Sequence, residues 1–397
     1  METHGFAAYR RVLSTPGVAA IAASSVVARI PAGMGAVGLV LYVHGATGSF
    51  AAAGIAAGAF TVGLGITGPL LARLIDRYGS APIILPGALV SSAALVGVVA
   101  LGHSDAGPVP LSLAAALAGA ALPPLGSVAR LQLAQRVSAN DLTTTYAIDS
   151  ILVEVIFISG PLLAGVLAAT VGAGDGLIVG AVLGVAGALW FVSVASVGPS
   201  ERAPEHRHWA GALLSPGVRL LVLTSAPMGV TFGALDVALP AFGTLHGSSA
   251  LGGPFAATLA VGSAIGGLAF GLRPRSLGSP RRAFLWLSAL QAATCLPVLI
   301  VATIPQMFVA AAVAGLAVAP LGTVRNQLTQ VNAVPGTLTE AYTWMGLAVT
   351  VGASAGAAFA GPLVEAAGWR AGAIIAVAVP ALGAVVVIAR RRVLAEG

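Results

Sequence analysis

The chain has 397 residues, of which 57% are hydrophobic and only 8% charged, and its mean hydropathy is +0.97. A water-soluble protein of this length needs a charged, solvated surface; this composition does not supply one, so lipid is the solvent for most of the chain. The net charge of +6 comes from nineteen arginines against thirteen acids, with no lysine, and no basic cluster interleaved with aromatics marks a nucleic-acid surface.

Runs of about 20 apolar residues are long enough to cross a ~30 Å hydrocarbon core as helices. Twelve occur, over 17–42, 49–73, 81–102, 110–134, 142–170, 175–197, 217–243, 250–272, 282–302, 305–330, 338–366 and 370–389. The first is too long for a signal peptide and carries Arg29 in its middle, so it reads as a spanning helix. The short alternating segments of a membrane β-barrel are absent. The predicted class is therefore an all-α membrane protein with twelve transmembrane helices. Seventeen of the nineteen arginines fall at one set of ends and loops, whereas the opposite loops hold Arg370 beside Asp105, Asp175 and Glu365. The positive-inside bias then places both termini and the loop around 198–216 in the cytoplasm, for a multi-pass protein of the plasma (bacterial inner) membrane.

The two ends of the chain repeat one another. "STPGV" (14–18) matches "LSPGV" (214–218), and "VGLGITG" (62–68) matches "VGSAIGG" (261–267). "PLGSVARLQLAQ" (124–135) matches "PLGTVRNQLTQ" (320–330), and "GPLLAG" (160–165) is echoed by "GPLVEA" (361–366). Offsets of 195 to 201, close to half the length, predict two six-helix bundles, 1–198 and 217–397, joined by a polar linker over 199–216.

Between the second and third predicted spans lies "LARLIDRYGSAP" (71–82), with Arg73, Asp76 and Arg77 in five residues. Twelve helices in two parallel repeats, with Asp76, Arg77 and Gly79 at this loop, resemble the major facilitator superfamily (MFS). Its loop pattern is Gly-x-x-x-Asp-Arg-x-Gly-Arg-Arg; here Ala72 replaces the first Gly, and Ser80 and Ala81 replace the basic pair. The second-half counterpart, "FGLRPRSLGSPRR", keeps Gly278 and the arginines but has no Asp. The resemblance implies the MFS fold, alternating access, and a cytoplasmic gate involving Arg73, Asp76, Arg77 and Gly79; the plain reading is a solvated turn. "FISGPLLAG" also resembles the family's Gly-Pro-x-x-Gly-Gly motif, typical of its exporters, without the last Gly. By itself Gly160-Pro161 bends a helix and, with Gly165, Gly361 and Pro362, offers close packing. Similar spacings at Gly54/Gly58, Gly262/Gly266, Gly267/Gly271 and Gly352/Gly356 invite backbones to approach where the halves move.

Ionisable groups inside the bilayer are functional candidates. Arg130 and Arg325 recur in both halves and read as scaffold or gate. Arg29, Asp149, Glu154 and Asp236 do not recur: they align with Gly229, Met345, Thr350 and Ala36. Counting ~1.5 Å per residue from the cytoplasmic ends puts Arg29 and Glu154 both at about 18 Å, so they are expected to pair, and Asp149 at about 10 Å, nearer Arg130. Glu154 is the first candidate for proton coupling, with Asp149 and Asp236 behind it; a permanent Arg29–Glu154 ion pair is the structural alternative. Arg29, Ser25, Thr224 and Thr231 are the expected polar groups of the substrate cavity.

No phosphate-cradling loop, nucleophile elbow or zinc-type His/Glu cluster is present, and Cys295 is single, so no enzyme, metal or cofactor is expected. The expected partners are a small-molecule substrate, protons and membrane lipids. The leading functional reading is proton-coupled efflux of small amphipathic or lipophilic compounds. Uptake of a polar metabolite by symport wants more polar cavity groups, and a non-transporting scaffold or sensor wants a larger soluble part.

Overall fold

A computed structural model describes residues 3–104, 106–138, 141–195, 211–272, 279–335 and 337–394. Among these residues there are sixteen α-helices and no strand. A short α1 (Thr3–Ser14) precedes five helices of the first half: α2 (Val18–Thr47), α3 (Phe50–Tyr78), α4 (Ala81–His103), α5 (Pro108–Ala121) and α6 (Leu125–Gln135). α7 (Leu142–Thr170) and α8 (Ala173–Val194) complete it. The second half comprises α9 (Pro216–Leu223), α10 (Ala226–Leu245), α11 (Gly252–Leu272), α12 (Pro280–Cys295) and α13 (Ile304–Gly315). It continues through α14 (Val318–Asn332), α15 (Leu338–Ala367) and α16 (Trp369–Arg390). Twelve segments are long and apolar enough to cross a membrane, each within a few residues of a predicted span. Most of the predicted 199–216 linker lies outside the described residues.

Three of these spans are broken, and prolines explain how. Pro123 and Pro124 lack the amides that would take the carbonyls of Gly119 and Ala120. Gly119 O instead accepts the Leu122 amide at 3.2 Å, and Ala120 O accepts the Thr67 hydroxyl at 2.6 Å. The fourth span thus splits into α5 and α6 without leaving backbone unsatisfied in an apolar setting. The seventh splits at Thr224-Ser225, ahead of Pro227, into α9 and α10; the tenth splits at Leu316-Ala317, ahead of Pro320, into α13 and α14.

Lipid tails are as apolar as leucine, so helix association here rests on close packing, and glycine supplies it. A Cβ at Gly233 would lie 1.8 Å from Ala353 O, and one at Gly229 1.9 Å from Val349 O, so α10 runs backbone to backbone along α15. Gly262 and Gly266 do the same for α11 against Ala312 and Leu316. Gly79 ends α3 at φ +89°, which lets the chain turn into α4 at once while its amide bonds Ile75 O at 2.8 Å.

We use proximal for the end of the bundle that carries both termini, and distal for the other. α1, which the hydropathy pattern does not reveal, lies proximally: Arg11 Nε donates to Asp141 Oδ1 at 3.1 Å. That guanidinium, with the Ser138 hydroxyl, holds the Asp141 carboxyl below the usual carboxylate range.

Candidate functional site

The two halves meet along α3–α15 and α7–α11. Here too the seam is made of glycine. A Cβ at Gly54 would sit 2.4 Å from Ala357 O, one at Gly361 2.5 Å from Phe50 O, and one at Gly58 2.9 Å from Ser354 O. The Ser354 hydroxyl donates to Gly58 O at 2.8 Å. On the other flank a Cβ at Gly165 would lie 2.5 Å from Ala250 O, and one at Gly253 2.2 Å from Pro161 O. Glu365 closes the distal end: its Oε2 accepts the Ser49 hydroxyl at 2.5 Å and the Ala51 amide at 2.8 Å, across the halves. Proximally the seam runs out. A Cβ at Gly65 would still lie 2.5 Å from Thr350 Cγ2, but one at Gly68 or Gly346, next on the same stripes, would have nothing within 4 Å. The bundle is shut distally and parts proximally.

Just proximal to the closure lies a charge cluster of the first half. Arg130 Nε donates to Asp149 Oδ2 at 2.6 Å, as its nearness on the short hairpin anticipated. Arg29 does not reach Glu154; its Nη1 lies 4.0 Å from Asp149 Oδ1. Gly126 explains the route, because with no side chain it leaves room for the Arg29 guanidinium 3.2 Å from its Cβ position, at the first turn of α6. Asp149, 3% exposed, therefore sits between two arginines, while Arg29 Nη1 and Asp149 Oδ1 keep no hydrogen bond.

Glu154 is five residues on, about 140° around α7 from Asp149. It shares a face with Pro161, two turns away, and that face is the one α11 covers. Glu154 is half-buried, with no ion-pair or hydrogen-bond partner among the described residues. Asp236 of the second half, though not its repeat-mate, is also half-buried and without a partner among the described residues, between the buried Leu235 and Val237. Leu235 and Val237 belong to an apolar cluster that also draws Ala57 and Phe60 from the first half and Ala357 from the second.

The expected cavity hydroxyls are elsewhere. Ser25 donates to Ala22 O at 2.8 Å, Thr224 to Leu220 O at 2.8 Å, and Thr231 to Pro227 O at 3.1 Å and Ala376 O at 3.3 Å. All three are buried, because a hydroxyl in apolar surroundings turns to its own helix's carbonyls. Arg325 differs from its repeat-mate Arg130: it is 5% exposed and lies inside its own half. Its Nη2 meets Thr224 O at 3.3 Å, its Nη1 meets Met228 Sδ at 3.4 Å, and Phe284 lies beneath at 5.9 Å. Of the proximal loop, Arg73 and Arg77 are exposed and Arg77 covers Tyr78; the side chain of Asp76 lies outside the described residues.

Sequence reasoning missed the Glu365 contact. Its one signal was an acid at the end of an apolar span, opposite a Ser at the start of another.

Comparisons with known proteins agree with this architecture. At 14% identity the chain is similar to a crystallised mutant of the nucleoside transporter NupG, with a TM-score of 0.78 over 94% of this chain and 99% of that one. It is also similar to a bacterial homologue of the iron transporter ferroportin in an inward-facing state (14% identity, TM-score 0.70, 94% and 98% covered). A third likeness is to an auto-inhibited peptide transporter of the POT family (13%, 0.69, 94% and 95%). No curated protein sequence matches. The model of the Major Facilitator Superfamily matches residues 21–278, well over half the chain, and the protein is a member of that superfamily of membrane transporters.

Proposed function

We propose that the protein is a secondary transporter working by alternating access, and that it exports small amphipathic or lipophilic compounds in exchange for protons. The observation that carries the coupling is the pair of unpartnered carboxylates, Glu154 and Asp236. Each stands half-buried in a membrane-spanning helix of its half, where an ionised group without a partner is costly. A proton or a cationic group relieves that cost, and opening the distal end changes what surrounds both. Asp149, bracketed by Arg29 and Arg130, is instead assigned to holding α2, α6 and α7 together.

The arginine distribution supports a cytoplasmic proximal end, so the state described is open inward. Export is supported by the Gly160-Pro161 motif, which with Gly165 lies on the face of α7 that packs against Gly253 of α11. Arg73, Asp76, Arg77 and Gly79 are proposed to lock the proximal side in the opposite state. Structural neighbours described as a nucleoside transporter, a peptide transporter and a homologue of an iron transporter leave the substrate to be read from this chain's own residues.

The test is made in proteoliposomes under an imposed pH gradient. Lumenal pH is followed as amphipathic cations, neutral compounds and anions are added, for wild type, Glu154→Gln and Asp236→Asn. Substrate-dependent proton flux that vanishes in either variant, with binding kept, is the expected result. Flux that survives in both sinks the coupling assignment.

A further inference from the structure

The break in the seventh span gives α10 a helix start of its own, and Arg325 reaches the same turn. α10 is twenty residues long, and its first turn has no side-chain cap: the Ser225 hydroxyl turns back to Leu221 O at 2.7 Å. Such a helix start carries partial positive charge from its amides. Arg325 reaches across from α14 to the same turn, touching Thr224 O at 3.3 Å and Met228 Sδ at 3.4 Å. The first contact is long for a hydrogen bond and the second uses a weak acceptor. Arg325 Nε has no partner at all.

Apart from the Thr224 carbonyl at the end of α9, nothing among the described residues balances this buried cation, and no carboxylate does. In the first half Arg130 is met by Asp149 at 2.6 Å, whereas Met345 stands at the equivalent place in the second, its sulfur accepting the Thr329 hydroxyl. The other described acids of this half are occupied or distant. Glu340 accepts the Trp344 indole and Glu365 the Ser49 hydroxyl. Asp236 lies ten residues up α10, about 15 Å away. A buried guanidinium facing an uncapped helix start, without a carboxylate, is a site built for an anion.

We propose that Arg325 and the first turn of α10 bind an anionic oxygen group, a carboxylate, sulfonate or phosphate, of a compound entering from the proximal end. The proposal rests on the transporter reading above and narrows its substrates to amphipathic compounds with an acidic head. The anion serves Arg325 as Asp149 serves Arg130 in the other half, displacing the weak carbonyl and thioether contacts of Arg325.

Binding of benzoate, benzenesulfonate and uncharged benzamide to the purified protein is measured by calorimetry. Benzoate and benzenesulfonate are expected to bind well ahead of benzamide. Arg325→Met should weaken benzoate by roughly tenfold to a hundredfold, Arg325→Lys by less, and neither should alter benzamide. Met345→Asp keeps Arg325 but supplies the missing carboxylate, so it too should abolish benzoate binding even if Arg325→Met does not fold. Equal binding of acid and amide, no binding of either acid, or a Met345→Asp protein that binds benzoate like wild type would overturn the site. In nanodiscs, loss of benzoate binding when phosphatidylglycerol is added identifies a lipid headgroup as the bound anion; persistence identifies a soluble one. Arg325-dependent binding without benzoate flux in proteoliposomes keeps the site and removes transport. Proton-coupled flux of neutral compounds without anion binding does the reverse.

Discussion

Gly54→Ala isolates the contact between the halves. The added methyl would lie 2.4 Å from Ala357 O and 3.0 Å from Gly361 Cα, against an ordinary contact of 3.4 Å or more. Backbone cannot rotate away as a side-chain tip can, so α15 must withdraw by about 1 Å, the difference between those two distances. Overpacking of this kind costs about 1–3 kcal/mol. The gain in helix propensity, about 1 kcal/mol, accrues whichever way the bundle is open and cancels from the comparison. The penalty falls only on the distally closed state, so the balance between states should move toward the distally open one by roughly 5- to 150-fold. Spin labels at Ala46 and Ala302, exposed distal positions in opposite halves, report this as a longer interlabel distance in a Cys295→Ala background. Gly233→Ala is the control. Its methyl would lie 1.8 Å from Ala353 O, a tighter clash, but within one half. It should lower thermal stability and leave the distance distribution in place. An unchanged distribution for Gly54→Ala, or an equal shift for Gly233→Ala, would refute the seam as the element that sets the state.

Two further outcomes follow from the polar contacts. Asp149→Ala leaves the half-buried Arg29 and the exposed Arg130 without their carboxylate and should cost about 1–3 kcal/mol of stability, with part regained on adding Arg29→Leu; an unaltered melting temperature contradicts the bracketing described. Glu365→Ala removes both distal bonds to Ser49 and Ala51 and should lengthen the Ala46–Ala302 distance in the same sense as Gly54→Ala. The shift should be smaller, since water replaces the lost partner at this exposed site, and a shortened distance would contradict the latch.

Much of the fold was legible because lipid imposes one coarse rule, an uninterrupted apolar run of fixed length, and the chain obeys it twelve times. The repeats located Arg130 and Arg325, and the short hairpin between the fourth and fifth spans indicated that Arg130 meets Asp149. What failed was azimuth. Arg29 and Glu154 were matched by depth alone, yet a side chain's partner is set equally by which way it points around its helix, and Asp149 faces α2 where Glu154 faces α11. The breaks were hidden for a related reason: Pro123, Pro124, Pro227 and Pro320 are individually compatible with a kinked but continuous membrane helix. Whether the helix parts depends on outside donors such as the Thr67 hydroxyl. The hydroxyls of Ser25, Thr224 and Thr231 were read by type, without the competing pull of their own backbone carbonyls.

The departures from repeat symmetry explain why the two halves hold charge differently. Where the first half has Arg29, the second has Gly229, and there α10 presses on Val349 O so closely that even a methyl group would meet it at 1.9 Å. An arginine is sterically excluded at that point. In the first half α2 and α7 touch backbone to backbone only further out, at Gly33 and Gly160, where a Cβ on Gly160 would lie 2.7 Å from Gly33 Cα. Proximal to that contact the helices leave a gap, and Arg29, Asp149 and Arg130 occupy it. The second half has closed the equivalent gap with glycine and has also lost the acid, through Met345, while keeping the arginine. Arg325 is therefore pressed inward against α10 as a cation with no carboxylate beside it among the described residues. Two arginines sharing one aspartate brace the first half, and an arginine with no carboxylate remains in the second.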